Sequence, residues 1–471
     1  AMAKQFLPGD WRSGYYRDQT FMMAIGQLTV QQYFAALYAH TDIAHEPSSG
    51  GRQMGGHFAT RFINADGSWK NQTEEKNSSA DISPTAGQMP RLLGLAQASK
   101  IYRQNSALHN HAQFSKKGNE VAFGTIGDAS TSEGLFWETM NAAAVLGVPL
   151  CMSVWDDGWG ISVPKKFQTV KESISEALSG FEKSTTTNGI KIFKAKGWNF
   201  PELLATYERA VAYCRENHIP VLVHVEEITQ PQGHSTSGSH ERYKSKELLS
   251  WYERYDCIEQ LHQFIVRDGA ASAKELNDIR EEAKASVREQ QKAAWAAYRE
   301  DIDVDVKTAA QKMTQASREQ SNASAVEDLA NQLSKVSNPI RKDIFQTFSK
   351  ARRMLSDTPQ VLDLDVWMAA LRSKCETMYS EGLYSAASDS VFEVSPVSIE
   401  YDANPEMVDG RIILRENWDY QLSRRPELMI FGEDVGKIGG VNQTYEGLQE
   451  KHGELRIADT GIREATIVGQ G

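Results

Sequence analysis

Apolar and polar positions follow two rhythms along this chain. From Glu120 to Val154 the pattern predicts strand, helix, strand. "EVAFGTIG" is a short apolar run of the kind that becomes a buried parallel strand. "STSEGLFWETMNAAAVLG" predicts a helix with Ser and Thr at its start, Glu133 in its first turn and apolar residues recurring at three and four. "VPLCMSVW" predicts a second strand that ends in an Asp-Asp-Gly turn. Further on, "GIKIFKAKGW" and "IPVLVHVEEI" predict strands on either side of the amphipathic helix "FPELLATYERAVAYCRENH". Strands that alternate with helices imply an α/β fold, a parallel sheet flanked by helices. Ligands in such sheets bind at the carboxyl ends of the strands.

From about Lys244 to Ser380 the rhythm changes to long charged helices such as "AKELNDIREEAKASVREQQKAAWAAYRE", which read as a helical connector. The small and polar stretch "SEGLYSAASDSVFEVSP" marks a boundary, and "ELMIFGEDVGKIGGVNQTYEGL" starts a new strand-and-loop pattern. The expected organisation is an α/β domain over 1–245, a connector over 246–390 and a second, incomplete α/β domain over 391–471. So short a last domain predicts a small core.

Composition narrows the function classes. The chain has 471 residues, 40% hydrophobic and 24% charged, as expected of a soluble globular protein. Its 51 basic and 62 acidic residues give a net charge of −11, which argues against nucleic acid as the main partner. No run of about 18 apolar residues predicts a membrane span. Cys151, Cys214, Cys257 and Cys375 are widely spaced, so neither a disulfide framework nor a zinc site is expected, and a reducing cytoplasm is. The opening Ala1-Met2 reads as a cleavage scar before a native Met2.

Two acidic sites stand at predicted strand ends. Asp128 directly precedes a predicted helix, whose free amides and dipole favour a phosphate that a lone carboxylate would repel. A divalent cation between them removes the conflict, since magnesium takes oxygen ligands and commonly joins carboxylates to phosphate oxygens. Asp157, at the next strand end, is the second candidate ligand, and the carbonyl of Trp159 is a third. The alternative is that Asp128 caps its helix and that Asp156 and Asp157 make a solvated turn. The chain has no Gly-Lys-Ser/Thr, which excludes a P-loop.

This unit resembles the thiamine diphosphate motif in the alpha subunit of 2-oxoacid dehydrogenase first components: strand, Gly-Asp, a helix with Asn-Ala-Ala, Pro plus a strand, and the turn "DDGWGIS". Other motifs occur in the same order. "YYRDQTFMMAIG" is similar to the family's diphosphate contact, which falls on Tyr16 and Arg17. "DISPTAGQMPRLLGLAQA" resembles the segment beside the coenzyme, with Ser83 against it and Pro84 and Gln88 near a monovalent-cation site. "PQGHSTSGSHERY" resembles the active-site loop, with His234 in the histidine position. "FGEDVGKIGGVNQTYEGLQEKHG" and "RIADTGIREATIVGQG" are similar to the opening of the beta subunit.

The resemblance implies a thiamine diphosphate-binding fold with Mg2+, alpha and beta parts fused, and an incomplete pyrimidine-binding domain in a chain that stops short at Gly471. It implies cofactor contacts at Tyr16, Arg17, Ser83, Asp128, Ala129, Ser130, Asp157, Trp159, Ile161, His234 and Glu464, and metal ligands at Asp128, Asp157 and Trp159. Glu464 falls on the glutamate that hydrogen-bonds the pyrimidine ring, and it and His234 take catalytic roles. The implied reaction is oxidative decarboxylation of a 2-oxoacid with acyl transfer to lipoyl groups of an acyltransferase core. "GHSTSGSHERY" and "GWGIS" look more like the branched-chain members. The alternatives are a pyruvate or acetoin type, or a truncated relative that binds the cofactor without turnover. A homodimer is expected, because the family's coenzyme lies between alpha-type and beta-type domains. Asp156-Asp157 stands in place of an Asn pair, Trp159 of a Tyr and Gly87 of a Thr. His57 is expected near the substrate entrance.

Overall fold

The computed structural model describes every residue except 54, 55, 65, 232, 235–239, 382 and 384–389. The chain divides into two compact units, one of Ala1–Gln27, His57–Arg280 and Val397–Gly471, the other of Leu28–Gly56 and Glu281–Pro396.

In the first unit the strands are β1 (Trp11–Ser13), β2 (Asn77–Ser78), β3 (Ala122–Gly127), β4 (Leu150–Trp155), β5 (Trp159–Gly160), β6 (Val163–Pro164), β7 (Lys191–Lys196) and β8 (Val221–Glu226). Six of them form one sheet in the order β2-β1-β3-β4-β8-β7, and every pair in it is parallel. The pair β5 and β6 forms a separate antiparallel hairpin. Helices α1 (Gln19–Ala24), α3 (Met89–Gln104), α4 (Gly134–Leu146), α5 (Ile174–Ala177), α6 (Phe200–Asn217), α7 (Lys246–Arg254) and α8 (Cys257–Asp268) accompany the sheet. The chain therefore has the expected α/β architecture, a parallel sheet flanked by helices.

The core explains the apolar runs. Leu92 and Leu93 of α3 and Phe136 and Met140 of α4 are fully buried in one cluster with Leu150, Met152 and Val154 of β4. Leu→Ala or Met→Ala at such positions costs about 2–5 kcal/mol. A Cβ on Gly124 would lie 2.3 Å from Cδ2 of Leu92, so the glycine in β3 is what lets α3 approach the sheet.

The structure differs from the sequence reading after Asp128. A short 3-10 helix, Ala129–Ser132, follows Asp128 directly, and the α-helix α4 opens only at Gly134, with Glu133 as its N-cap residue and not in its first turn. The Ser-Thr-Ser run favours turns over helix interior because its hydroxyls compete for backbone partners, as Thr131 Oγ1 does by donating to the Asp128 carbonyl at 2.6 Å.

The first unit also contains α13 (Gly410–Arg424), β9 (Ile430–Gly432), α14 (Leu448–His452), β10 (Ile457–Asp459) and α15 (Glu464–Gln470). Here β9 and β10 form a two-stranded parallel sheet over a small core of Leu422, Leu448 and Ile457. Helix α15 packs on α3. A Cβ on Gly94 would meet the Gln470 carbonyl oxygen at 2.2 Å, and one on Gly469 would meet Cβ of Pro90 at 2.4 Å, so glycines on both helices permit the contact.

The second unit is helical. It holds α2 (Val30–Leu37), most of the 45-residue α9 (Ala273–Ser317), α10 (Ala323–Ser334), α11 (Arg341–Arg352) and α12 (Pro359–Ser380). Ile302, Val306, Ala309 and Met313 of α9 and Val361, Leu364, Met368, Leu371 and Cys375 of α12 are buried in one cluster. Their alternating spacing of three and four is the seam of packed helices. Among the described residues no helix is long and apolar enough to cross a membrane.

Candidate functional site

Adjacent parallel strands β3 and β4 end level with each other, with Gly127 paired to Trp155. Asp128 follows the first and Asp156-Asp157 the second, so three carboxyl groups gather at the carboxyl end of the sheet's two central strands. They take different roles. Asp156 is engaged by its surroundings: its carboxylate accepts from the Gly158 amide at 2.7 Å and from His224 Nε2 at 3.0 Å, and lies 3.4 Å from Lys165 Nζ. Gly158 has φ +78°, which glycine adopts without strain, and the Asp156 side chain closes the turn. Asp157 instead faces Asp128 closely enough to share a proton. Burial first, and then the charges of Asp156 and Asp157, push the Asp128 carboxyl up to about 8.

This donor set fits a divalent cation. Asp128 Oδ2 is buried and has no hydrogen-bond partner, which is costly unless a ligand supplies one. A hard cation bound by oxygen would relieve the repulsion between the carboxylates. Among the described residues no three His, Cys, Asp or Glu side chains form a metal-holding group, so carbonyl and ligand oxygens would have to complete the shell. Ala129 donates its amide to the Asp128 carboxylate. Trp159 donates its amide to Asp157 Oδ1 at 3.2 Å and lies in the β5 and β6 hairpin. A Cβ on Gly160 would come within 3.0 Å of the Ala129 Cβ, so that hairpin closes over the turn containing Ala129 and Ser130. Ile161 is exposed with φ 59°, a strained conformation for a β-branched residue, and such residues cluster at functional sites.

A second cluster contains the residues expected to meet phosphate. Arg17 Nη2 lies 2.7 Å from His234 Nε2 and 3.3 Å from the Tyr16 hydroxyl. Because a guanidinium only donates, His234 Nε2 accepts in the shorter contact and the ring is neutral. Burial, Arg17 and Lys244 all lower the affinity of His234 for a proton. Tyr16 stacks on His57, whose Nε2 lies 2.6 Å from Ser83 Oγ. Residues 235–239 of the loop after His234 lie outside the described residues.

Lys244 connects the two clusters, and the sequence reading missed it. Its ammonium is drawn toward Asp157 and Asp128, lies 5.2 Å from the Trp159 ring and donates to the Tyr252 hydroxyl at 3.1 Å. Tyr252 in turn donates to the Asp157 carbonyl at 3.2 Å. His224 was missed too, although a lone histidine inside the apolar run "VLVHVE" was a usable signal. Under the Tyr16-Arg17 turn lies a third missed group. Fully buried Arg12 pairs with Asp18 at 2.9 Å and Asp81 at 2.8 Å, and Thr125 of β3 donates to Asp18. This network joins the turn, β3 and the segment leading to Ser83. Gln88 donates to the Thr125 carbonyl at 2.9 Å while its own Oε1 is buried without a partner, next to the expected monovalent-cation position.

Glu464 is not brought to either cluster. It opens α15 with an exposed side chain and forms no hydrogen bond or ion pair among the described residues.

Residues 1–302 match the family model described as dehydrogenase E1 component. The chain is 27% identical over 171 residues to the pyruvate dehydrogenase E1 component subunit alpha of Rickettsia bellii, covering 36% of this chain and 50% of that protein. It is 26% identical over 283 residues to the 2-oxoisovalerate dehydrogenase subunit alpha of Bacillus subtilis, covering 59% of this chain and 73% of that protein. It is 30% identical over 207 residues to the 3-methyl-2-oxobutanoate dehydrogenase subunit alpha of Mycobacterium tuberculosis, covering 43% of this chain and 53% of that protein. The chain thus spans about half the length of the first and third of these relatives. With the family match extending over residues 1–302 of 471, the chain belongs to the dehydrogenase E1 component family.

Proposed function

We propose that this chain acts as the decarboxylating first component of a 2-oxoacid dehydrogenase complex, binding thiamine diphosphate through Mg2+ and passing the acyl group to lipoyl groups of an acyltransferase core. The observation that carries the reading is buried Asp128 facing half-buried Asp157 at adjacent strand ends, with Asp128 Oδ2 lacking a partner. When bound, the coenzyme supplies an electron sink for the carbanion left by loss of carbon dioxide. Asp128, Asp157 and the Trp159 carbonyl would hold the metal. Tyr16 and Arg17 would hold the diphosphate, since a guanidinium can grip phosphate through two hydrogen bonds. Ser83, Ala129, Ser130 and Ile161 would shape the surrounding wall.

His234, held 2.7 Å from Arg17 Nη2 through Nε2, would bind the diphosphate or donate a proton during acyl transfer. Glu464 would hydrogen-bond the pyrimidine ring. Its exposed position, away from the Asp128 cluster, supports a site completed by a second copy of the chain in a homodimer or larger even oligomer. The wording of "GHSTSGSHERY" and the two branched-chain relatives support a branched-chain 2-oxoacid as substrate. The free cysteines support a reducing, cytoplasmic setting.

The test is calorimetry with thiamine diphosphate and magnesium, followed by decarboxylation of 3-methyl-2-oxobutanoate and pyruvate with an artificial electron acceptor. Metal-dependent binding and faster turnover of the branched substrate are expected. Binding without turnover of either acid would favour a non-catalytic relative, and no binding would end the proposal.

A further inference from the structure

The helical unit contains a cavity of ≈ 880 Å³ lined by residues of α9, of α11 along its length and of α12. Arg341, Lys342, Lys350, Arg353 and Arg372 line it, and among the described residues no acidic side chain does. In a chain of net charge −11, a concave surface lined by one sign of charge is not average surface.

The charges are of two kinds. Arg341, with 10% of its side chain exposed, lies 3.3 Å from Asp305 and 3.9 Å from Asp301 of α9. That pairing fixes a desolvated guanidinium at the wall of the cavity. Lys342, Lys350, Arg353 and Arg372 have no carboxylate within ion-pair distance among the described residues. Like charges held around one volume repel, weakly where solvent screens them, and an anion inside it turns that repulsion into attraction. Arg372 is further oriented by packing 5.2 Å over the Phe345 ring. The remaining wall is mostly aromatic and aliphatic, including Tyr298, Tyr379 and Ile340, with Gln346 and Ser349 as its neutral polar members.

The volume lies within the range of small-molecule sites, about 300–1,000 Å³. Several separated cations suit a chain of phosphates better than a single carboxylate, because guanidinium and ammonium groups each take their own phosphate oxygens. The aromatic wall leaves a face for a ring. We infer that this cavity binds a small polyphosphate carrying an aromatic ring, of the nucleoside di- or triphosphate class, at a site separate from the coenzyme site.

ATP is the probe, titrated by calorimetry into the whole protein with and without saturating thiamine diphosphate and magnesium. Two double variants are compared with the parent: Lys342→Glu with Arg372→Glu, and Lys350→Gln with Arg353→Gln. All four side chains are exposed, so the fold should survive, and circular dichroism checks it. The parent should bind ATP saturably whether or not thiamine diphosphate is present. Affinity should fall about tenfold or more in each variant, the loss of one or more charge-assisted hydrogen bonds. ATP binding that thiamine diphosphate displaces, that both folded variants retain unchanged, or that is absent at about 1 mM ligand, a weak-binding limit, overturns the assignment.

Discussion

Asp128, buried, and Asp157, half-buried, face each other at the ends of two neighbouring parallel strands, while Asp156 between them in sequence turns away to His224 and Lys165. One acidic turn is thereby divided into a structural carboxylate and a free one. The free pair is expensive in the absence of a cation, and Lys244 is the nearby positive charge that tempers it.

Lys244→Met should therefore lower the stability of the metal-free protein by about 2 kcal/mol, less than the full cost of breaking a buried pair because the Trp159 and Ala129 amides still donate to the two carboxylates. Magnesium should narrow the deficit, since it replaces the missing countercharge. Urea unfolding midpoints with and without magnesium check this. An equal deficit in both conditions would show that Lys244 acts only through packing on Tyr252.

Docking of α15 depends on glycine. Gly94→Ala places a methyl where the Gln470 carbonyl oxygen now lies, so α15 must lift from α3. Hydrogen exchange of the Glu464–Gln470 amides should speed up while that of β3 and β4 stays slow. Unchanged exchange in α15 would mean that the contact relaxes without undocking.

Much of the first unit was legible because apolar runs of strand length ended in acids or turns. That rule found β3, β4, β7 and β8 and put Asp128 and Asp157 at strand ends. It could not find β1, whose "WRS" has no apolar period and whose Arg12 is buried only because Asp18 and Asp81 neutralise it. Lys244 and Tyr252 were equally illegible: a basic residue before a helix reads as solvated, and only tertiary contact with Asp157 and Trp159 gives it a role. Directly after Asp128 the chain forms a 3-10 helix, and the expected α-helix is delayed to Gly134, because local hydroxyls compete for backbone partners. In the second unit the buried spacing along α12 was present in the sequence, whereas the cationic cavity depends on how α9, α11 and α12 pack.

Acid should weaken the fold partly through His218. This buried residue caps α6 with φ 52°, and its Nε2 lies 2.9 Å from the Gly118 carbonyl oxygen. Burial first, then Arg103, lower its proton affinity from 6.5 to about 4. The unfolded chain then binds a proton that the native state refuses, so stability present above 6.5 is lost as pH falls toward 4. His218→Asn, which tolerates the left-handed conformation, should flatten that slope by on the order of 2 kcal/mol. Unfolding midpoints across this pH range decide it, and an unaltered slope would assign the loss to other groups.

Glu464→Gln should separate binding from turnover. The diphosphate and metal would be anchored at the carboxyl ends of β3 and β4, so coenzyme affinity should survive. Decarboxylation should fall by about 10²–10⁴, the usual contribution of a positioned acid or base. Exchange of the coenzyme's thiazolium proton is the direct readout, and equal rates in parent and variant would remove Glu464 from the chemistry.

Calorimetric titration of thiamine diphosphate into the parent, Asp128→Ala and Asp157→Asn, each with and without magnesium, tests the central claim most directly. Asp128→Ala removes the ligand with the unpartnered oxygen, whereas Asp157→Asn keeps an oxygen donor and lowers the repulsion. The account predicts magnesium-dependent binding in the parent, its retention in Asp157→Asn and its loss in Asp128→Ala. Binding in Asp128→Ala as tight as in the parent, or binding in the parent that ignores magnesium, would contradict it.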